Sequence, residues 1–357
     1  MDTRYRLAPQ MKEYDKASSV WLPYLMHFNA PNYSSSVFNT DSRGFRVSYK
    51  GSERIADFAD TEKSPVCLLV GGSTVFGVGA TDDGKTIASF LNSTTDYSWI
   101  NFAGRTFSST QELLLFLFYY QEIKNIKKIV IIGALNNLIL YHLSREYPKE
   151  LGSFFFWNRY NQKMNVETIS TKRKVLKAFL QPILGNSIDY GNIPKKELLK
   201  TIIKGGKAAS LTSASQEAIT PIRNKEDVLY VLKRDILSWK LLTRALGIEL
   251  YYVLNPLAAW IDKKISSEEK ELFAEIDKNL QPHWEALRNS MGREQYRWFC
   301  GNMREICSSN TIRFLDMNEA ISKIKPDGAW LFVDRAHLTD EGNRIVAEIL
   351  TKEVIDK

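Results

Sequence analysis

Cysteine is scarce in this chain, with three among 357 residues, and Cys67, Cys300 and Cys307 lie neither in close pairs nor beside histidines. An odd number cannot all pair and the spacing matches no zinc site, so neither a disulfide framework nor a metal is expected. No apolar run is long enough to cross a bilayer, and Met1 to Glu13 is rich in charge where a secretory leader would be apolar. The expectation is a cytoplasmic protein with reduced thiols. Internal repeats are lacking too. No stretch interleaves basic and aromatic residues as a nucleic-acid platform does, so no nucleic-acid partner is expected.

What the chain does have is globular. A hydrophobic fraction of 44% and a charged fraction of 25% supply enough apolar material for a large core. The length allows two domains or one core with a large insertion. The net charge of +7 is modest, and part of it is local: Lys172, Arg173, Lys174 and Lys177, then Lys195, Lys196, Lys200, Lys204 and Lys207. Such runs read as a solvated helix surface, or as a face that meets an anionic membrane or an acidic substrate.

Short apolar runs with turn residues behind them recur at Val66–Val70, Trp99–Phe102, Ile129–Ile132, Ile248–Leu254 and Thr311–Leu315. Helical stretches separate them; Ser109 stands three residues before Glu112, and Ser266 three before Glu269, the spacing of a capping box. Strands that alternate with helices predict an α/β fold: a doubly wound, flavodoxin-like parallel sheet of five strands. Functional residues then gather at the strands' C-terminal ends. More than a hundred residues separate the third run from the fourth, so a helical insertion or lid is expected at 142–224. The core is then 61–141 with 225–357, and 1–60 is a polar, aromatic segment that wraps it.

Val66–Val70 runs straight into Gly71-Gly72-Ser73-Thr74, which sets a serine on a tight turn where substrate can approach the backbone closely. Taken alone this is an ordinary strand-to-helix turn. Near the C-terminus, however, Asp334-Arg335-Ala336-His337 puts a carboxylate three residues before one of only four histidines, with Thr339 capping a helix behind it. A carboxylate on one imidazole nitrogen fixes the tautomer and leaves the other nitrogen to take a serine proton. Two more strand ends offer candidate oxyanion donors: Asn101-Phe102-Ala103-Gly104-Arg105-Thr106, and Gly133-Ala134-Leu135-Asn136-Asn137. Arg105 reads either as a clamp for a substrate carboxylate or phosphate or as a structural surface residue.

From about Asn39 to Ala347 the sequence resembles the SGNH, or GDSL-like, hydrolase superfamily, and its first block is similar to the subgroup reading Gly-Gly-Ser-Thr. The resemblance implies Ser73 as nucleophile, Asp334 and His337 as its partners, and an oxyanion hole from Ser73, Gly104 and Asn136. It also implies a serine esterase, acyl hydrolase or O-acyltransferase working through an acyl-Ser73 intermediate. The substrate would be a sugar or small-metabolite ester, with an acyl donor if the enzyme is a transferase, and no cofactor. Gly72 stands where the family usually has aspartate, Ala134 where its third block has glycine, and Asn137 where that block has aspartate. Those substitutions keep open a catalytically silent binding protein of the same fold.

Another motif competes. Gly79-Ala-Thr-Asp-Asp-Gly84-Lys85-Thr86 satisfies the phosphate-loop pattern letter for letter. A phosphate loop must leave a buried strand directly, whereas here the strand ends at Val70 and Gly77 intervenes, so these residues read instead as the start of a helix over Lys85–Leu91. Phe154, Phe155, Phe156 and Trp157 read as a pocket lining or as core packing of the insertion.

Overall fold

The computed structural model describes residues 2–58, 64–143, 152–157, 159–160, 225–278 and 281–355. Contacts divide the chain into two compact units, one of Met1–Arg145, Lys149–Phe155 and Ile222–Lys357, the other of Glu146–Pro148 and Phe156–Pro221. In the second unit Trp157 stacks on Tyr160, and Arg159 lies over the Phe156 ring. Most of the expected insertion at 142–224, with both of its basic runs, lies outside the described residues.

The first unit begins with helices α1 (Asp2–Leu7) and α2 (Met11–Lys16) and two hairpins, β1–β2 (Ser19–Leu22, Met26–Asn29) and β3–β4 (Ser48–Lys50, Glu53–Ile55). The central sheet follows. Its strands are β5 (Val66–Gly71), β6 (Ser98–Ala103), β7 (Ile126–Gly133), β8 (Glu249–Leu254) and β9 (Arg313–Asp316). All pairings are parallel, in the order β6-β5-β7-β8-β9. Each strand corresponds to one of the five apolar runs, with ends displaced by up to three residues.

The sequence of β5 shows why this sheet is buried on both sides. Val66, Leu68 and Val70 join one apolar cluster and Cys67 and Leu69 the other, all of them inaccessible to solvent. Tyr252 and Leu254 of β8 likewise face the first cluster, and Tyr251 and Val253 the second. Such runs are apolar without alternation because helices cover both faces. On the first face lie α5 (Ser109–Tyr119), α6 (Leu135–Leu143), α7 (Glu226–Leu246), α9 (Pro282–Ser290) and α10 (Arg293–Ser308). The second is covered by α3 (Ser73–Phe76), α4 (Ile87–Thr94), α8 (Ser267–Ile276), α11 (Met317–Ile324) and α12 (Asp340–Leu350). Each buried aliphatic side chain contributes about 1.5–3 kcal/mol. The fold is therefore the expected doubly wound α/β sheet. The chain starts at β5, moves out to β6 and returns past β5 to β7, so the strand order reverses between β5 and β7, where such folds open a crevice beyond the strands' carboxyl ends.

The α5 cap differs from its sequence expectation. The capping box is Ser108 with Gln111, not Ser109 with Glu112. The run Ser108-Ser109-Thr110-Gln111-Glu112 satisfies the spacing twice, and burial decides between them: Ser109 Oγ donates to the buried Asp235 at 2.6 Å, and Glu112 turns into the core. Ser266 with Glu269 does cap α8 as expected.

Candidate active site

β5 delivers Ser73 to the crevice. Gly71 packs so closely that a Cβ there would lie 2.5 Å from the Ile132 carbonyl oxygen, and Ser73 is the first residue of α3, which ends after four residues at Gly77 in the left-handed conformation, φ 87°. The Ser73 N–H, like any at a helix start, has no intrahelical acceptor. Ser73 Oγ lies 2.8 Å from His337 Nε2, and His337 Nδ1 lies 2.7 Å from Asp334 Oδ2.

The loop bearing Asp334 and His337 is held at both ends. Val333 N–H donates to the His337 carbonyl at 2.9 Å, closing the turn. Ahead of it, the buried Glu269 accepts from Leu331 N at 3.0 Å and Phe332 N at 3.2 Å and pairs with the buried Lys263. Behind it, Thr339 caps α12 through Gly342 N–H. Asp334 is wholly buried; its Oδ1 accepts from Ala336 N at 2.9 Å and His337 N at 2.8 Å. Burial alone would raise this carboxyl, but the imidazole, the Arg4 guanidinium and the Ala336 N–H outweigh burial and hold it at about 2.

Asn136, at the start of α6 beyond β7, points its amide the same way. Nδ2 donates to the Phe107 carbonyl at 2.8 Å, which leaves its second hydrogen available. A Cβ on Gly72 would lie 2.6 Å from that Nδ2, so glycine is what lets the asparagine amide sit beside the serine turn. Ala134 carries the left-handed φ of 78° that a glycine would take without strain. Asn137 turns away and exchanges hydrogen bonds with Ser109, its Oδ1 accepting from Ser109 N at 3.0 Å and its Nδ2 donating to Ser109 Oγ at 2.9 Å.

Two expectations need correction. The Gly104 N–H donates to the Gly71 carbonyl at 3.2 Å, continuing the β5–β6 pairing one step beyond the strands, so it is not open to an oxyanion. In the same turn Arg105 N donates to Asn29 Oδ1 at 3.3 Å and Phe107 N to the Gly104 carbonyl at 3.2 Å. The Thr106 N–H alone in this turn has no acceptor among the described residues, and Thr106 has a left-handed φ of 64°. The second correction is Arg105 as an anion clamp. Its guanidinium donates to the carbonyls of Tyr14 at 3.2 Å, Ala17 at 3.2 Å and Ser18 at 2.9 Å, and so ties down the N-terminal segment.

The N-terminal segment supplies neighbours that sequence reasoning missed. His27 Nε2 lies 2.7 Å from Thr106 Oγ1 and 3.2 Å from the Arg105 carbonyl, and burial lowers its titration to about 4, so it is neutral near pH 7. Arg4 Nη2 lies 3.8 Å from Asp334 Oδ2. No local motif marks either contact. Asn255, given no role from sequence, donates to Thr74 Oγ1 at 3.2 Å, one residue from Ser73.

Gly79–Thr86 forms no cradle. Gly79, φ 103°, packs where a Cβ would lie 2.3 Å from the Leu338 carbonyl oxygen, Asp83 is paired with the buried Arg46 at 2.8 Å, and Thr86 caps α4. Lys85 is exposed. The helix expected over Lys85–Leu91 is a 3-10 turn at Asp83–Lys85 followed by α4. Phe155 packs against the core of the first unit. Among the described residues no cluster of His, Cys, Asp and Glu could hold a metal ion, and no helix is long and apolar enough to cross a membrane.

No protein-family model and no curated protein matches the chain. Solved structures do. An acetyl xylan esterase, AlAXEase, is 12% identical with a TM-score of 0.33, over 81% of this chain and 98% of that one. A putative acylhydrolase from Bacteroides fragilis is 12% identical with a TM-score of 0.36, over 83% and 93%. A member of the lipolytic protein G-D-S-L family from Veillonella parvula is 8% identical with a TM-score of 0.36, over 82% and 100%. Likeness at this level leaves the functional reading to the geometry of the site itself.

Proposed function

We propose that this chain is a serine esterase or acyl hydrolase of the SGNH type that acts through an acyl-Ser73 intermediate. The observation that carries the proposal is the unbroken chain from Ser73 Oγ to His337 Nε2 at 2.8 Å and from Nδ1 to Asp334 at 2.7 Å. With Asp334 ionised, Nδ1 keeps its hydrogen and Nε2 is the free base. As Ser73 Oγ attacks an ester carbonyl, its proton passes to Nε2; the imidazolium then gives that proton to the departing alcohol, leaving the acyl group on Ser73. Water activated by the same nitrogen completes hydrolysis. The developing oxyanion is met by the second Asn136 amide hydrogen and the Ser73 N–H. With Gly104 engaged, the third donor in this reading is the Thr106 N–H.

Transfer to an alcohol would use the same steps with a different acceptor, and an O-acyltransferase belongs to the same proposal. The substrate class we assign is an acylated sugar or small metabolite, on the strength of the Gly-Gly-Ser-Thr block. The test is labelling with a fluorophosphonate, whose tetrahedral phosphorus imitates the acyl-transfer intermediate. Mass spectrometry should find one adduct, on Ser73, lost in Ser73→Ala. A folded protein that takes no label and turns over no activated ester would point instead to a silent binding protein.

A further inference from the structure

We propose that Arg4 is a positioning residue for the His337–Asp334 pair: from α1 its guanidinium holds the buried carboxylate against the imidazole and disfavours the imidazolium. The functional consequence rests on the acyl-transfer reading above. Asp334 Oδ1 is occupied by two backbone N–H groups and Oδ2 by His337 Nδ1, so Arg4 at 3.8 Å acts on Oδ2 as a charge rather than as a further hydrogen-bond donor. The Arg4 side chain is only 15% exposed, and its buried Nε has no hydrogen-bond partner. Its Nη1 donates to Asp15 at 2.6 Å. What fixes the guanidinium is therefore two carboxylates, one on α2 and one in the candidate site. The helix beneath it is fastened independently by Arg6 with Glu271 of α8, and the turn that follows it by Gln10, which donates to the Gly79 carbonyl at 2.8 Å.

The other charged and titratable groups around the pair have their own partners. Arg335, between Asp334 and His337, turns to Asp277 and lies over Phe273. Asp340, at the start of α12, accepts from Thr81 N at 2.8 Å and Thr81 Oγ1 at 2.6 Å. Asp15, behind Arg4, also accepts from Tyr5 at 2.9 Å. Ser73 stands on the far side of the ring. Among the described residues Arg4 is thus the cation paired with Asp334, and it lies no farther from His337 Nδ1 than its contact and the Asp334–His337 contact laid end to end. A full charge at that range moves a neighbouring titration by about half a pH unit or more.

The experiment follows the His337 imidazole by NMR as pH is varied, in wild type, Arg4→Gln, Arg4→Lys and Arg6→Gln, with His337→Asn to assign the resonance. Removing the Arg4 charge should raise the midpoint by about half a pH unit or more. Arg4→Lys should return it most of the way, and Arg6→Gln, which loosens α1 without touching the pair, should leave it in place. A midpoint in Arg4→Gln within about 0.1 of wild type, or an equal rise in Arg6→Gln, overturns the proposal. The pH midpoint of fluorophosphonate labelling at Ser73 should move with the resonance. Absence of labelling in wild type counts against the acyl-transfer reading, while the NMR midpoints still decide whether Arg4 is coupled to the pair.

Discussion

Adding one methyl group at Gly72 should disable Asn136 without touching it chemically. A Cβ at that position would stand 2.6 Å from Asn136 Nδ2 and an ordinary 3.6 Å from the Phe107 carbonyl oxygen, so in Gly72→Ala it is the amide that must move. Moving it breaks the 2.8 Å bond that aims Nδ2. Overpacking of this kind costs about 1–3 kcal/mol of stability. If Asn136 is an oxyanion donor, turnover of an activated ester should also fall about a hundredfold to a thousandfold with little change in KM. Asn136→Ala should match that loss of turnover. The double variant Gly72→Ala with Asn136→Ala removes the crowded atom, so it should regain most of the stability and be no slower than either single variant. Steady-state kinetics and denaturant unfolding on the four proteins complete the cycle. Turnover in Gly72→Ala within threefold of wild type, or losses that multiply in the double variant, would refute the reasoning.

Ser73→Ala should lose about a thousandfold or more in turnover with its unfolding midpoint unchanged; equal turnover in the variant would remove Ser73 as nucleophile. The folded Asp334 carboxyl, at about 2, lies below its unfolded value of about 3.9, so its contribution is present above about pH 4 and lost as pH falls through 2. Asp334→Asn should flatten the stability–pH curve between those limits, by about 2–3 kcal/mol, and a curve of unchanged shape in urea unfolding would contradict the assignment. Lys85→Ala should be silent in labelling and in titration with ATP and magnesium, because Lys85 is exposed; ATP binding that vanishes with Lys85 would restore the phosphate-loop reading.

Legibility in the sequence follows the range of the interaction. The five strands could be read because a buried parallel strand needs only a short apolar run, as Val66–Val70 shows. Asp334 and His337 are three residues apart, so their pairing could be anticipated from spacing alone. Gly104 failed as a donor because sheet pairing continues past Ala103, which depends on the register against Gly71 rather than on anything near Gly104. Thr106 gave no warning, since a threonine with positive φ runs against its own preference and is held by His27 from a distant hairpin. Arg105 could be read two ways because its partners are carbonyls, which every residue has, at Tyr14, Ala17 and Ser18.

The same contrast explains why the N-terminal segment read as a mere wrapping and yet reaches the Ser73, Thr106 and Asp334 sides of the candidate site. A polar segment laid over strand ends must satisfy backbone groups that the sheet leaves open. Asn29 does so by donating to the Ala103 carbonyl at 3.0 Å, and Tyr14 by donating to the carbonyls of Gly77 at 3.0 Å and Ala80 at 2.8 Å. Arg46, inaccessible to solvent, donates to the Phe76 and Gly77 carbonyls and pairs with Asp83. These carbonyls belong to the turns that follow Ser73 and lead to Thr106, and to the segment whose Gly79 packs against the Leu338 carbonyl. A long-range contact made for backbone satisfaction thereby becomes a constraint on reacting groups, and loosening residues 2–58 should disturb the site before it disturbs the sheet.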